Sequence, residues 1–258
     1  MVSYHKFKFE GYELQIKKGN NKPIPDHTYI ITMSAALNCC CNDICKHHIN
    51  NTANCYGLCY ELNRTFMNNT LKRRALDEAA INYLVQNDKA QELANEIIKI
   101  SNRAKNNKCK FLRWNETGDL KNLDYLLFVN TIADILYKQL GAYSVIYTHR
   151  IDIYKQFKAN HQQSKGLIIL GSDFNANLQF KAVSNPEELK QYKYICCSNC
   201  KECHEVHGIA HCYNKNLINK DIIIAELLRQ KPIKGYSQEL IHEAYNILET
   251  AIEAAAGG

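Results

Sequence analysis

The sequence predicts an α/β fold. Its form is an incomplete or irregular β/α barrel, with cysteine-rich metal loops and C-terminal helices. Three observations carry the prediction. Strand-like and helix-periodic segments alternate along the chain. The strand-like segments end in polar residues, as parallel strands do where they meet a site. No linker or internal repeat divides the 258 residues, so positions 1–258 read as one domain. An open doubly wound sheet is the alternative, because it uses the same alternation.

In chain order, residues 28 to 34 are β-rich and lead into a cysteine-rich stretch. From Cys59 to about Asn102 the pattern is helical: Leu76, Ala79, Ala80, Tyr83 and Leu84 recur at three and four, as do Leu93, Ile97 and Ile98. Asn87 and Asp88 mark a break. Lys110 to Trp114 is a strand, with the sole tryptophan assigned to the core, and Asn115 to Asp119 is a polar turn. Leu123 to Leu140 is an amphipathic helix ending at Gly141. Strands follow at 142–150, 166–174, 177–183 and 192–197, with a short helix at 151–160. Two closing helices are expected, from Asn219 to Gln230 and from about Ser237 to Ala254.

Composition narrows the function classes. Apolar residues are 46% and charged residues 22%, ordinary for a soluble globular protein. No run approaches the roughly 18 apolar residues of a membrane helix, and the first residues lack the apolar core of a secretory signal. A cytoplasmic, reducing compartment is therefore expected, with no membrane partner. In that setting clustered cysteines read as metal or cofactor ligands, and a disulfide-rich secreted protein is the poorest of the readings. The net charge of +6 is mild. Two basic clusters, Lys72-Arg73-Arg74 and Lys105 to Lys110, read as a solvated helix face and a solvated loop, with nucleic-acid contact as the rival reading.

The twelve cysteines are concentrated. Cys197, Cys200 and Cys203 form C-x2-C-x2-C, with Cys212 further on. This spacing turns three thiolates towards one small cage and leaves the fourth to a distant residue, which is what a 4Fe–4S cluster needs. Zinc is the alternative. Cys196 could replace Cys197, and His204, His207 and His211 could replace a sulfur. The earlier group offers Cys41, Cys45, Cys55 and Cys59 as four ligands of a second site, with Cys39 and Cys40 as alternatives and His47 and His48 read as loop residues. Tyr60 and Tyr213 directly follow cysteines and read as packing against the metal. The radical-SAM signature C-x3-C-x2-C fails at His48 and Leu62, so a radical-SAM-like partial barrel is expected in shape only. Cys109 stands alone with no assigned task.

Three strand ends offer chemistry. Arg113, Glu116 and Asp119 follow the first, with Gly118 permitting a tight turn. Thr148, His149 and Arg150 follow the second, and Ser172, Asp173 and Asn175 the third. Arg113, Asp119, His149 and Asp173 are the candidate catalytic residues: carboxylate and histidine for proton transfer, arginine for an anion. Each has a plainer reading, with Asp119 as a helix cap, Arg113 as the partner of Glu116 or Asp119, and His149 as a satisfied rim histidine.

CYGLCY, the basic helix after it, RWNETGDL, VIYTHR and the C-terminal cysteine cluster together resemble the gene-product-eighty-eight family of phage and prokaryotic proteins, over residues 28 to 212. His149 stands where that family's pattern has a lysine. The resemblance implies a barrel-like α/β fold and bound iron–sulfur, and no established reaction. The expected function is an iron–sulfur oxidoreductase or lyase with one or two 4Fe–4S clusters and a small-molecule substrate. The alternative is a zinc- or cluster-stabilised phage protein that binds nucleic acid or another protein.

Overall fold

The computed structural model describes residues 3–19, 27–33, 68–105, 108–116, 118–172, 174–183, 186–192, 194–195 and 223–227, with the helical Asn246 and Thr250. Two strands expected by no reading of the sequence come first. β1 (Ser3–Phe9) and β2 (Tyr12–Lys18) form an antiparallel hairpin. Its two-residue turn, Glu10-Gly11, has φ of 44° and 91°. Positive φ at both central residues matches the twist of the flanking strands, and glycine meets that demand without strain. Phe7, Phe9, Leu14 and Ile16 alternate with polar residues and bury one side of the hairpin.

β3 (Thr28–Ile30) follows, then helices α1 (Asn68–Gln86) and α2 (Ala90–Arg103). β4 (Phe111–Trp114), α3 (Leu123–Leu140), β5 (Tyr143–Thr148), α4 (Ile151–Asn160) and β6 (Leu167–Ser172) lie close to the expected limits. α3 starts where Asn122 accepts a hydrogen bond from the Tyr125 N–H at 2.9 Å, and stops at Gly141 in the left-handed region. β7 (Leu178–Val183), the one-turn α5 (Pro186–Leu189), β8 (Tyr194–Ile195) and β9 (Ile223–Leu227) complete the described elements. β9 corrects the helix expected from Asn219 to Gln230: Ile223 and Ile224 are β-branched, and the strand pairs with β7 on one side and β8 on the other.

The sheet order is β1-β2-β3-β4-β5-β6-β7-β9-β8. From β3 to β8 every described pairing is parallel. β1 and β8 are the margins, so the sheet is open among the described residues, and the barrel expectation reduces to an α/β fold with a mostly parallel open sheet. From β3 to β7 the strands are added one place at a time in one direction. Right-handed crossovers then deposit their helices on a single face. The core agrees: Trp114, Ile146 and Ile169 share one apolar cluster with Leu84 of α1, Ile97 of α2, Leu126 of α3 and Phe157 of α4. At the far margin β9 lies inside β8, a reversal of order of the kind doubly wound sheets use. The face away from the helices is also dry, with Ile30, Val145, Ile168 and Leu170 fully buried.

The core holds Trp114, as expected, edge-on to Tyr125 and Phe128 at 6.2 Å each. Cys109 is also there: its N–H donates to Ser101 Oγ at 2.9 Å, and burial pushes its thiol up to about 12. A thiol so rarely ionised is a packing residue. Among the described residues no helix is long and apolar enough to cross a membrane.

One basic cluster departs from its expected solvated state. Arg73 donates to the Glu13 carboxylate at 2.8 Å, to the Glu13 carbonyl at 2.6 Å and to Asp77 at 2.7 Å. Arg74 is 8% exposed. β3 registers with β2 only at Lys17 and Lys18. Further back along β2, the Glu13 carbonyl and the Gln15 N–H are satisfied instead by Arg73 and Asp77 of α1. The Lys72 side chain lies outside the described residues.

Candidate functional site

Because β3 to β6 are parallel, their carboxyl ends fall on one edge of the sheet. The loop after β4, residues 115–120, is the best-tied part of that edge. Asn115 is left-handed at φ 52°, a conformation asparagine tolerates, and its Oδ1 accepts from the buried Tyr125 hydroxyl at 2.6 Å. Gly118 makes the second left-handed step at φ 83°.

Asp119 is 2% exposed. Its carboxylate accepts from the Leu120 N–H at 2.6 Å, from the His149 N–H at 2.9 Å and from the Thr148 hydroxyl. Thr148 Oγ1 accepts in turn from the Arg150 N–H at 2.9 Å. The Arg150 guanidinium reaches back to the Leu120 and Lys121 carbonyls at 3.3 Å each, and pairs with Asp152 at 2.6 Å. These bonds rivet the end of β5 to the loop after β4. The helix-cap reading of Asp119 is overturned, since α3 starts at Leu123 with Asn122 as its cap.

His149 lies at the outer side of this network. Its Nδ1 is 3.7 Å from Asp119 Oδ2, and its side chain is 34% exposed. That separation is beyond hydrogen-bond distance, so Asp119 is a neighbour of the ring and a bonded partner of the His149 backbone. His149 is the member of the pair that reaches solvent.

Arg113 lies between Leu112 and Trp114, which face the helices, so its side chain projects to the opposite face. Its guanidinium is 5.1 Å from the Tyr147 ring, and Tyr147 is edge-on to Phe180 at 5.5 Å. Arg113 also acts electrostatically on Glu116, in line with the plainer reading of the arginine. Glu116 is the carboxylate that the catalytic set passed over. Lys17 Nζ donates to it at 3.0 and 3.1 Å, and Thr32 Oγ1 at 3.3 Å. Burial works against its ionisation, but Lys17, Arg113 and Arg74 outweigh burial and hold the carboxyl below its ordinary value.

Of the four candidate catalytic residues, the structure brings Asp119 and His149 together and places Arg113 on the same loop's stem. Asp173 lies outside the described residues, as do Cys39, Cys40, Cys41, Cys45, Cys55, Cys59, Cys196, Cys197, Cys200, Cys203 and Cys212, and with them both expected metal sites. Tyr60, Tyr213 and the five loop histidines fall there too. Among the described residues no group of three or more histidine, cysteine or acidic side chains could hold a metal. The described strands that precede the two cysteine segments, β3 and β8, both run in the common parallel direction.

The fold and this edge define an α/β protein with a mostly parallel open sheet and a carboxylate–histidine pair at its carboxyl margin. The chain belongs to the Gene product 88 family, whose model matches residues 14–195. The match runs from β2 to the last residue of β8. It takes in the first cysteine segment and the whole rim, and it stops just before Cys196. No curated protein and no solved structure matches the sequence at a significant level.

Proposed function

We propose that the protein is a cytoplasmic iron–sulfur enzyme, an oxidoreductase or lyase acting on a small molecule at the carboxyl edge of the sheet. The observation that carries this reading is directional. β3 and β8, which lead into the two cysteine segments, run parallel to β4 and β5, which deliver the Asp119–His149 pair. Both cysteine segments thus follow, in the sequence, strands that run towards the edge where the pair stands.

Cys197, Cys200, Cys203 and Cys212 would hold a 4Fe–4S cluster, and Cys41, Cys45, Cys55 and Cys59 a second cluster or zinc. β3 and β8 are six places apart in the sheet, roughly 29 Å along it. That spacing supports two sites over one shared site. The clusters would supply electrons or Lewis acidity. His149, held by Asp119, moves a proton to or from the substrate, and Arg113 holds an anionic group.

The test is anaerobic reconstitution with metal and sulfide analysis and a visible spectrum. Iron and sulfide are expected in near-equal amounts, with a broad visible absorption that bleaches on reduction. Serine at Cys197, Cys200 and Cys203 together should remove one cluster's share. A colourless protein carrying zinc, with no iron or sulfide after reconstitution, would rule the reading out.

A second reading, nucleic-acid binding, is favoured by one observation. Lys105, Lys108 and Lys110 are exposed, and each lacks an ion-pair partner among the described residues. Arg73 and Arg74, by contrast, are spent inside. Alanine at the three lysines should then weaken binding to single-stranded DNA and reduce the log–log salt slope by up to about 2, three contacts at about 0.7 each. Binding that is absent in the wild type, or unchanged in this variant, removes the reading.

A further inference from the structure

The edge of the sheet opposite His149 carries groups that the proposed reaction does not use. α2, α3 and α4 lead into the starts of β4, β5 and β6 in turn, and these strands are parallel, so their amino ends share one edge. The last turns of the three helices hold Arg103, Lys138 and Lys158, which complement the helix dipoles. Lys105, Lys108, Lys110 and Lys165 lie beyond those turns, in the connections to β4 and β6, so the dipoles do not account for them. All four are exposed, and none has an ion-pair partner among the described residues. The acids in the last two turns of α2 and α3 are already engaged, Glu96 with Lys99 at 3.2 Å and Asp134 with Lys138 at 2.5 Å, and α4 has none there.

Tyr143 stands among these lysines. Its N–H donates to the Lys110 carbonyl at 2.9 Å, and the next N–H, of Ser144, donates to the Gly166 carbonyl at 2.7 Å. Lys110 and Lys165 therefore flank it on the neighbouring strand starts, two strand spacings or roughly 10 Å apart. The Tyr143 ring lies 5.3 Å from that of Tyr137, both are half-buried, and their side chains share a hydrogen bond. Tyr137 is fixed in turn, because a side chain at Gly166 would meet its Cβ at 2.5 Å: α3 lies directly on the start of β6. A tyrosine held in place between two cations offers ring surface and charge together. Single strands use that combination, with phosphates on the cations and a base on the ring. A duplex keeps its bases stacked inside and meets such an edge through charge alone.

We propose that this amino edge binds single-stranded nucleic acid, with Lys108, Lys110 and Lys165 on phosphates and Tyr143 against a base. This rests on the second reading, nucleic-acid binding, and adds to it a place, a strandedness and two residues outside the lysine run, Tyr143 and Lys165.

The experiment is fluorescence anisotropy of labelled oligothymidylate with the full chain. The single strand is expected to bind about ten-fold more tightly than its duplex with oligoadenylate. Lys165→Ala, at an exposed position, should reduce the log–log salt slope by about 0.7. Tyr143→Leu should weaken binding about ten-fold, whereas Tyr143→Phe keeps the ring, removes the bond to Tyr137 and should bind like the wild type. If Tyr143→Leu does not fold, Lys165→Ala decides the matter. If alanine at Lys105, Lys108 and Lys110 weakens binding while Lys165→Ala and Tyr143→Leu leave it unchanged, the lysine run binds by itself and the inference fails alone. Equal binding of single strand and duplex overturns the base contact. If the wild type binds no oligonucleotide, the second reading fails with the inference.

Discussion

Asp119→Ala is expected to destabilise the protein by about 3–5 kcal/mol, the range for breaking a buried, hydrogen-bonded charge network. The alanine leaves three donors without their acceptor: the Leu120 N–H, the His149 N–H and the Thr148 hydroxyl. Each buried donor stranded in this way costs about 1–3 kcal/mol. Partial repair by water at the half-exposed His149 side keeps the sum at the lower end of that arithmetic. Thr148→Val removes one of the three bonds and also the acceptor of the Arg150 N–H, and should cost about 2–3 kcal/mol. The double variant should cost less than the sum, because both substitutions cut the same Asp119–Thr148 bond. Urea unfolding followed by circular dichroism measures all three. A loss below about 1 kcal/mol for Asp119→Ala would show that the network does not hold the rim.

The elements of that rim were legible because they carry local signals. Leu123 to Leu140 has helical periodicity, a capping asparagine before it and glycine after it, and α3 has those limits. Lys110 to Trp114 and residues 142–150 are β-rich runs bounded by breakers, and β4 and β5 lie within them. The hairpin went unread although its signal is present. Phe7 and Phe9 alternate with lysines, Leu14 and Ile16 alternate with polar residues, and Glu-Gly is a two-residue turn. β9 was misread because a short apolar run, Ile222 to Ala225, fits a helix face as well as a strand, and its neighbours β7 and β8 decide the matter.

The site was legible by residue and only partly by role. Asp119 and His149 are thirty positions apart and meet because β4 and β5 are adjacent and parallel. Polar residues at predicted strand ends were enough to find them. Position along the loop could not say that Asp119 would be buried under three donors and His149 left to solvent. Glu116 needed more than strand ends. Its partners Lys17 and Thr32 come from the unread hairpin and from the exit of β3, so their meeting depends on the register Lys17–Ile30. The basic run at 72–74 misled for a related reason. It is charged in sequence, but its position on α1 faces the part of β2 that β3 leaves unpaired.

That same contact gives the second large effect, a pH dependence of stability centred on Asp77. Burial pushes the Asp77 carboxyl up to about 6, outweighing the Arg73 guanidinium and the Gln15 N–H, and Glu13 adds to the rise. In the unfolded chain the value is about 3.9. The folded protein therefore holds a proton between about pH 4 and pH 6 that the unfolded chain has released. Stability from this group rises as the pH falls through about 6 and levels off below about 4. Its full size is on the order of 3 kcal/mol, two pH units at about 1.4 kcal/mol each. The other charged groups facing Asp77 are Arg73 and Glu13. At Glu13 burial is outweighed by Lys6, Gln15 and Arg73, which hold its carboxyl below the ordinary value; its contribution therefore has the opposite sign, and it is common to the wild type and the Asp77→Asn variant. Asp77→Asn keeps an oxygen for the Gln15 N–H and removes the titration. The variant is expected to be more stable than the wild type at pH 7 by about 2–3 kcal/mol and close to it at pH 4. Urea unfolding at half-unit steps from pH 4 to pH 8 reads the difference directly. A difference that stays flat across that range, or a variant less stable than the wild type at pH 7, would mean that the Arg73–Asp77 pair outweighs the burial of the charge. Asp77 would then stabilise the α1–β2 contact in its ionised form.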